Sequence, residues 1–270
     1  MTMQPLFSEA GLQRVAQVAR AGLLCAFDFD GTLVPIMPRP EQVRLSDDVR
    51  GKLLRLSAHA PVAIITGRAL GDIRGLLGFT PDYVVGNHGM EGVPGWEARA
   101  AVHAQQCAGW KAQLAGVLER ASCAEGIAIE DKRYSLSVHY RAAPDWQRAA
   151  AFLDEVCAAL DPQPRLVAGK CILSLVGVDA WHKGNALEAL MELSGAQTAV
   201  YAGDDVTDED VFRIKRADLL SVRVEQRPDS AADFFIPRAQ DTARLLDELI
   251  ACLAACGARN WLRKEAALHQ

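Results

Sequence analysis

Four short apolar runs, separated by stretches with helical periodicity, most constrain the fold of this chain. They cover residues 23–27, 61–65, 83–85 and 198–201. Residues 46–59, between the first two runs, carry apolar side chains at helical spacing. Runs that are apolar at every position and alternate with helices indicate a parallel sheet buried on both faces. We therefore predict an α/β core with a doubly wound parallel sheet, whose chemistry lies at the carboxyl ends of the strands.

The middle of the chain has a different pattern. We predict helices at residues 99–120 and 145–160, and strands near residues 126–130, 134–140, 166–168 and 171–176. Apolar and polar residues alternate in the second of these strands, which indicates a sheet with one solvated face. One βαβ crossover needs only about 30 residues. We therefore predict a core domain of residues 1–96 and 179–270, with an α+β domain of residues 97–178 inserted into it.

Composition excludes several classes of function. The chain of 270 residues has 29 basic and 34 acidic residues, a net charge of −5, and no broad basic face for nucleic acid. The apolar run at residues 21–27 is too short to cross a membrane and is followed directly by Asp28. The seven cysteines form no CxxC pair and no zinc spacing, which indicates a reducing interior. We therefore expect a cytoplasmic protein with a small-molecule partner; no oligomeric state is predicted.

The strongest chemical signal is the segment DFDGT at residues 28–32, directly after the first run. Side chains at positions i and i+2 of an extended chain point the same way, so Asp28 and Asp30 can face one spot. One carboxylate could attack phosphorus while the other handles a proton, and a divalent cation such as Mg²⁺ would offset the charge of the phosphate. An acidic turn that closes the strand explains the segment equally well.

Two weaker signals precede predicted helices. Thr66-Gly67-Arg68, after the second run, combines a hydroxyl with backbone N–H groups near a helix start, and this suits a phosphoryl group. Lys183 opens another helix, where the helix dipole disfavours a cation, so pairing with a carboxylate and a phosphate would explain its position. Taken alone, Thr66 fits a helix N-cap and Lys183 a solvated lysine better than a ligand.

The last signal is GDDVTDED at residues 203–210, with five acids in seven residues after the fourth run. Like charges packed at the end of a strand cost stability unless a cation offsets them. Acids are also favourable at a helix N-terminus, which is the simpler explanation. The Gly-Asp-Asp at the strand end favours a metal site.

Taken together and in this order, the four motifs resemble those of the haloacid dehalogenase superfamily of aspartyl-phosphate phosphatases. The resemblance implies a Rossmann-like core with an inserted type C2 cap domain. It implies that Asp28 is the nucleophile, that Asp30 is the general acid and base, and that Thr66 and Lys183 hold the phosphate.

The same resemblance implies a Mg²⁺ site. Its ligands would be Asp28, Asp204 and the backbone carbonyl of Asp30, whereas Asp205 and Asp208 would support the metal through water or neighbouring contacts.

The inserted segment carries EDKRYS at residues 130–135 and HYR at residues 139–141. Alternation puts Glu130 and Lys132 on one side of the strand end, as an acceptor and a donor for sugar hydroxyls or as an ion pair on a solvated face. With GNHG at residues 86–89 and Gly169-Lys170, these segments are similar to trehalose-6-phosphate phosphatases. The substrate-binding residues that this resemblance implies are Gly67, Arg68, Asn87, His88, Glu130, Lys132, Ser135, His139 and Arg141.

Two departures from that family bear on the substrate. Ser174 stands where the family usually has a glutamate that binds glucose hydroxyls, and residues 179–182 lack the family's usual turn before Lys183. The resemblance implies Mg²⁺-dependent hydrolysis of trehalose 6-phosphate through an aspartyl-phosphate. Two alternatives stay open: a phosphatase of another phosphosugar, of the glucosylglycerol-phosphate or mannosylglycerate-phosphate type, and a non-catalytic phosphosugar-binding protein.

Overall fold

The computed structural model describes residues 3–37, 43–121, 124–169 and 171–268, with side chains through residue 256. The chain divides into two compact units. Met1–Val93 and Trp181–Gln270 form one, which we call the core unit, and Pro94–Ala180 form the other, which we call the inserted unit. Cys123 and Lys170 lie outside the described residues.

The described residues form eleven strands. These are β1 (Gln4–Pro5), β2 (Leu23–Phe27), β3 (Val62–Ile65), β4 (Tyr83–Val85), β5 (Ala128–Asp131), β6 (Leu136–His139), β7 (Arg165–Gly169), β8 (Ile172–Val176), β9 (Thr198–Gly203), β10 (Leu219–Val224) and β11 (Phe234–Ile236). The core unit contains a parallel sheet of order β1-β11-β10-β9-β2-β3-β4. The predicted doubly wound α/β core is confirmed, and the four predicted strands are its neighbours β9, β2, β3 and β4.

Eight α-helices accompany the strands within the described residues. They are α1 (Glu9–Val18), α2 (Asp47–Ser57), α3 (Leu70–Leu77), α4 (Glu97–Leu118), α5 (Trp146–Ala158), α6 (Lys183–Ser194), α7 (Glu209–Phe212) and α8 (Thr242–Leu268). Ser8 and Ser46 cap α1 and α2 with their side-chain oxygens, as serine does at a helix start. Gly78 and Gly195 end α3 and α6 in the left-handed conformation that glycine adopts without strain. None of the described helices combines the length and apolar composition needed to span a bilayer.

Strands β2, β3, β9 and β10 of the core unit are buried on both faces, because helices cover each side. Alternate residues such as Cys25, Phe27 and Val62 pack with the apolar sides of α1, α2 and α8. On the other face α6 packs against β2 and β3. Burial on both sides explains the continuous apolar runs in the sequence. The carboxyl ends of β9, β2 and β3 therefore emerge side by side at one edge of the sheet.

The inserted unit is an antiparallel sheet of order β5-β6-β8-β7 with two helices, α4 and α5. Leu136 and Val138 of β6 and Leu173 and Leu175 of β8 point alternately into its core, where they meet Trp110 of α4. The alternation of apolar and polar residues in the sequence reflects this single buried face.

Candidate active site

Three neighbouring strands bring the motifs to one edge of the core sheet. Asp28 directly follows β2, Thr66 follows β3, and Asp204 follows β9. Strand β2 pairs with β3 on one side and with β9 on the other, so Asp28 leaves the middle of the three. The Asp28 N–H continues the sheet by donating to the carbonyl of Ala202 at 2.9 Å.

A buried lysine joins two carboxylates at this edge. Lys183, the first residue of α6, places Nζ 2.9 Å from Oδ1 of Asp28 and 2.7 Å from Oδ1 of Asp208. All three side chains are almost completely buried. Lys183 is therefore no solvated lysine, and the simpler explanation of its position is wrong. A buried ammonium needs compensating charge, and these carboxylates supply it.

Burial and neighbouring charge shift the protonation of this group. Burial raises the pKa of Asp28 well above its usual value, opposed by Lys183 and reinforced by Asp208 and Asp204. Burial disfavours the charge on Lys183, but Asp208 and Asp28 together raise its pKa. Burial also disfavours the charge on Asp208, yet the charge of Lys183 and the hydrogen bonds that Asp208 accepts lower the pKa of Asp208. Lys183 and Asp208 thus form the fixed ion pair, and Asp28 is the carboxylate that lacks full compensation.

Asp208 organises the acidic segment. Its Oδ1 accepts hydrogen bonds from Lys183 and, at 2.6 Å, from the hydroxyl of Tyr201. Its Oδ2 accepts the backbone N–H groups of Asp204 and Asp205, both at 2.9 Å. Four donors occupy the two oxygens of Asp208, so this side chain acts mainly by holding its neighbours in place.

Asp204 lies against the DFDGT segment. Its Oδ1 accepts a hydrogen bond of 3.2 Å from the hydroxyl of Thr32. A Cβ atom at Gly31 would lie 2.1 Å from Oδ2 of Asp204, and Gly31 has a φ of +81°. Glycine is therefore required here both for the turn and for the approach of the carboxylate. Burial, reinforced by Asp208 and Asp205, raises the pKa of Asp204 to about 6.

The donor set fits a divalent cation. One carboxylate oxygen each from Asp28, Asp204 and Asp208 lies within 4.8 Å of the other two. Among the ion pairs of the described residues, Lys183 is the only cation that contacts these three carboxylates. When the three carboxylates are ionised, the group therefore has a net charge of −2. Hard oxygen ligands and this excess charge suit a divalent cation such as Mg²⁺.

Asp30 is held by an arginine. Nε and Nη2 of Arg68 donate to Oδ2 and Oδ1 of Asp30, each at 2.6 Å. Nearby, the hydroxyl of Thr66 accepts the N–H of Arg68 at 3.2 Å. The N-cap of α3 is Ala69, so the simpler explanation of Thr66 as a helix cap is wrong. Thr66 is 1% exposed.

The turn Asn87–Gly89 packs against the loop after β3. Asn87 and His88 both adopt positive φ angles, which non-glycine residues seldom do. The His88 N–H donates to the carbonyl of Thr66 at 2.9 Å, and the His88 ring lies against Gly67, where a Cβ atom would be 2.3 Å away. Oε1 of Glu91 accepts from the Asn87 side chain at 2.6 Å and from the Leu70 N–H at 2.7 Å. Glu91 therefore couples this turn to the start of α3.

The predicted sugar-binding residues of the inserted unit form their own group. Oε2 of Glu130 lies 2.9 Å from Nε2 of His139 and 3.8 Å from Nζ of Lys132. These three side chains are partly exposed, Ser135 is partly exposed, and Arg141 is exposed. The inserted sheet thus holds a cluster of donors and acceptors, in which Glu130 contacts His139 diagonally across two strands and Lys132 two positions along the chain.

The sequence patterns missed several residues of the site. Tyr201 lies inside an apolar run, Thr32 follows the acidic pair, and Glu91 follows the GNHG turn. The only signal for Tyr201 is that a hydroxyl in a fully buried strand needs a partner. Asp205 is exposed.

The fold is that of the haloacid dehalogenase class, and the site groups three carboxylates in a donor set that suits a divalent cation. A trehalose-6-phosphate phosphatase of Aspergillus fumigatus has a similar structure, with a TM-score of 0.68 and 24% identity over 92% of this chain and 99% of that one. The sucrose-phosphatase of Synechocystis sp. PCC6803, solved with sucrose and phosphate, has a TM-score of 0.56 and 16% identity, and covers 84% of this chain and 98% of that one. These likenesses establish the fold.

The chain belongs to the trehalose-phosphatase family, because residues 26–235 match the model of that family. The Oryza sativa protein named "Probable trehalose-phosphate phosphatase 4" is 29% identical over 94% of this chain and 71% of its own length. The trehalose-phosphate phosphatase of Mycolicibacterium paratuberculosis is 35% identical over 69% of this chain and 49% of its own length.

Proposed function

We propose that this protein is a Mg²⁺-dependent phosphatase that hydrolyses trehalose 6-phosphate to trehalose and phosphate. The observation that carries the proposal is the position of Asp28, a buried carboxylate at the end of the central strand, held 2.9 Å from Lys183 and grouped with Asp204. Membership of the trehalose-phosphatase family supports the choice of substrate.

In the first step, a carboxylate oxygen of Asp28 attacks the phosphorus atom. The bond from phosphorus to the sugar oxygen breaks, and Asp30 donates a proton to that leaving oxygen. Lys183 keeps the Asp28 oxygen directed and balances charge on the transferring phosphoryl group, to which the Thr66 hydroxyl and the backbone of Gly67 donate hydrogen bonds. The product on the protein is an aspartyl-phosphate on Asp28.

In the second step, Asp30 accepts a proton from a water molecule as the water oxygen attacks phosphorus. The bond from Asp28 to phosphorus breaks, which regenerates the carboxylate and releases phosphate. Asp30 therefore ends the cycle in the protonation state in which it began.

Asp28, Asp204 and the backbone carbonyl of Asp30 would hold the Mg²⁺ ion, with Asp205 and Asp208 in support. When bound, the ion supplies positive charge that reduces the repulsion between the Asp28 carboxylate and a phosphate dianion. The oxygen-only ligands and the two uncompensated charges support this assignment.

Residues 97–178 are proposed to be the cap domain that selects the sugar. Glu130, Lys132, Ser135, His139 and Arg141 would bind sugar hydroxyls. The clustering of Glu130 with His139 and Lys132 supports this role, because the three offer donors and acceptors at one place. Asn87 and His88 are proposed to bind the phosphosugar from the core unit. For Arg68 two roles are proposed, binding of the phosphosugar and holding of Asp30, its partner in the described contacts.

Ser174 favours a second candidate substrate. Its hydroxyl lies 3.4 Å from that of Ser137 on the neighbouring strand, so position 174 itself offers a hydroxyl rather than a carboxylate. A charge-assisted hydrogen bond contributes about 1.5–3 kcal/mol, so its loss would alter the choice of sugar. The second candidate is therefore a phosphatase of a glucosylglycerol-phosphate or mannosylglycerate-phosphate type of substrate. A cytoplasmic location is proposed on the spacing of the seven cysteines in the sequence, which form neither a CxxC pair nor a zinc pattern.

The substrate is tested by measuring phosphate release from a panel of phosphosugars. Trehalose 6-phosphate, sucrose 6-phosphate, glucose 6-phosphate and the two glycosyl phosphates of the second candidate are each assayed with Mg²⁺ and with EDTA. We expect the highest kcat/KM for trehalose 6-phosphate, and no turnover with EDTA. A higher kcat/KM for another phosphosugar would replace the proposed substrate, and binding without turnover of any substrate would identify a binding protein.

The nucleophile is tested with Asp28→Asn and a matched Asp218→Asn control. Asp218 forms an exposed ion pair with Arg216, so its substitution leaves turnover unchanged. Asp28→Asn abolishes turnover and retains the folded circular dichroism spectrum, because an amide has no attacking oxygen of comparable nucleophilicity. Phosphate release by Asp28→Asn at the wild-type rate would refute the assignment.

A further inference from the structure

A buried arginine on β10 contacts the backbone of the acidic segment. Nη1 of Arg223 donates to the carbonyl of Asp205 at 3.2 Å, and Nη2 donates to the carbonyl of Asp204. Nη1 also donates to Oε1 of Glu209 at 2.8 Å, and Oε2 of Glu209 accepts the N–H of Ala231 at 2.9 Å. Arg223 and Glu209 are almost completely buried.

These contacts complete a clamp around the backbone of two residues, Asp204 and Asp205. Asp208 binds the N–H groups of Asp204 and Asp205, and Arg223 binds their carbonyl groups. The backbone polar groups of both residues are therefore held by two oppositely charged, buried side chains. The clamp directs the carboxylate of Asp204 toward Thr32 and Gly31. There it lies with the carboxylates of Asp28 and Asp208, and we call these three the acidic cluster.

Stability alone is a weak reason for this arrangement. A buried ion pair is often no more stabilising than well-packed apolar residues of similar volume, because both charges lose their hydration. Within the described residues, Nε of Arg223 is in addition buried without a hydrogen-bond partner, which is a further cost. The rigid fork of the guanidinium, which serves two carbonyls and a carboxylate at once, points to a role in positioning.

We propose that Arg223, supported by Glu209, is a positioning residue that sets the affinity of the acidic cluster for its divalent cation. It acts through the backbone of Asp204 and Asp205 and touches neither substrate nor cation. Partners that orient metal ligands in this way typically change metal affinity by about 10–100-fold. The inference rests on the cation site of the proposed function, and is independent of which sugar is hydrolysed.

The test is a titration of the full chain with Mn²⁺, used as a paramagnetic probe and followed by electron paramagnetic resonance. Arg223→Met removes the fork at similar length, and we expect its Kd for Mn²⁺ to rise about 10–100-fold. Arg223→Lys and Glu209→Gln keep part of the clamp and weaken binding by smaller factors. Ser221→Ala is the matched control: Ser221 is a buried polar residue of the same strand whose hydroxyl bonds only to Asp233 in the described contacts.

We expect Ser221→Ala to bind Mn²⁺ as tightly as the wild type, even where its melting temperature falls. Equal Kd values for wild type and Arg223→Met would overturn this inference alone. If Arg223→Met does not fold, Arg223→Lys and Glu209→Gln decide, and wild-type Kd values in both would overturn it. No Mn²⁺ binding by the wild type would overturn both the inference and the cation site of the proposed function.

Discussion

Arg68 holds the carboxylate of Asp30 through two parallel hydrogen bonds of 2.6 Å. A bidentate pair of this kind fixes the orientation of a carboxylate as well as its position. The Asp30 side chain is still 35% exposed, so a proton can reach it. The sequence resemblance implies substrate binding by Arg68, and its contacts in the structure support a second role, which is to hold the proposed general acid and base.

Arg68→Ala separates these two roles. Loss of the bidentate pair leaves the Asp30 carboxylate free to rotate. A misplacement of about 1 Å at a reacting group can cost about 10²-fold in rate. We expect kcat to fall by about this factor with little change in KM, and Arg68→Lys to restore little, because an ammonium cannot form the bidentate pair. Steady-state phosphate release measures both constants.

Arg216→Ala is the control for that variant. Arg216 makes the same two-bond contact with Asp218, at 2.9 and 2.7 Å, on the surface of the core unit. We expect unchanged kinetics. A rise in KM at constant kcat for Arg68→Ala would instead support the substrate-binding role.

Lys183→Met tests the buried charge cluster. The variant leaves Asp28 and Asp208 buried without their cation, and breaking a buried pair costs about 3–5 kcal/mol. We expect a loss of this size in the free energy of unfolding near pH 8, measured by urea denaturation. Lys52→Met is the comparison, because its partners Asp48 and Asp247 are exposed and such pairs contribute at most about 1 kcal/mol. Equal losses in the free energy of unfolding would show that the buried pairs of Lys183 contribute no more stability than the surface pairs of Lys52.

Gly31→Ala tests the close approach of Asp204. The added methyl group would meet the Asp204 carboxylate, which must move away from the cluster. We expect weaker Mn²⁺ binding, by about tenfold or more, and a corresponding loss of turnover. Gly95→Ala has a similar φ of +86° with nothing within 4 Å, so it reproduces the backbone strain alone and keeps wild-type Mn²⁺ affinity. Equal affinity in Gly31→Ala and Gly95→Ala would contradict the steric argument.

Asp204→Asn isolates a pH dependence in the metal-free protein. Burial raises the pKa of Asp204 from 3.8 to about 6, so the folded state binds this proton more tightly than the unfolded chain. The Asp204 carboxyl therefore contributes stability that is lost as pH rises from about 4 through about 6 and is absent above about 7. An asparagine has no such proton, so we expect the free energy of unfolding of Asp204→Asn relative to wild type to rise over this window and then stay level.

Asp218→Asn provides the opposite case. Its hydrogen bond with Arg216 lowers the pKa of Asp218 below 3.8, so its contribution is already complete above about pH 5. The free energy of unfolding of Asp218→Asn, measured at several pH values with EDTA, should differ from that of the wild type by a constant amount above about pH 5. A flat difference for Asp204→Asn as well would refute the raised pKa.

Strands β9, β2, β3 and β4 could be predicted from the sequence, whereas β10, β11 and β1 on the other side of β9 could not. β2 and β3 are apolar throughout because both faces are covered, and β9 is fully buried as well. β10 is equally buried, but Ser221 and Arg223 interrupt its apolar run. Their partners Asp233 and Glu209 lie elsewhere in the chain, so nothing local shows that the two polar side chains are satisfied.

The motifs predicted which residues share the edge of the sheet, but not their contacts. Strand alternation predicts that Asp28 and Asp30 face one spot, but it does not predict that Lys183 contacts Asp28 and Arg68 contacts Asp30. The role of Asp208 depends on four donors from three places in the chain, and a pattern of acids carries no information about them. The roles proposed for the residues of the inserted unit stay predictions.

Thr32 and Asp204 form a hydrogen bond although 172 positions separate them in the chain. A ribosome would release the DFDGT segment long before the acids it must meet had been synthesised. Contacts of such long range form slowly, since the intervening chain must be ordered first. The catalytic edge can therefore exist only once nearly the whole polypeptide has emerged, and a fragment cut short before β9 would bring no partial activity.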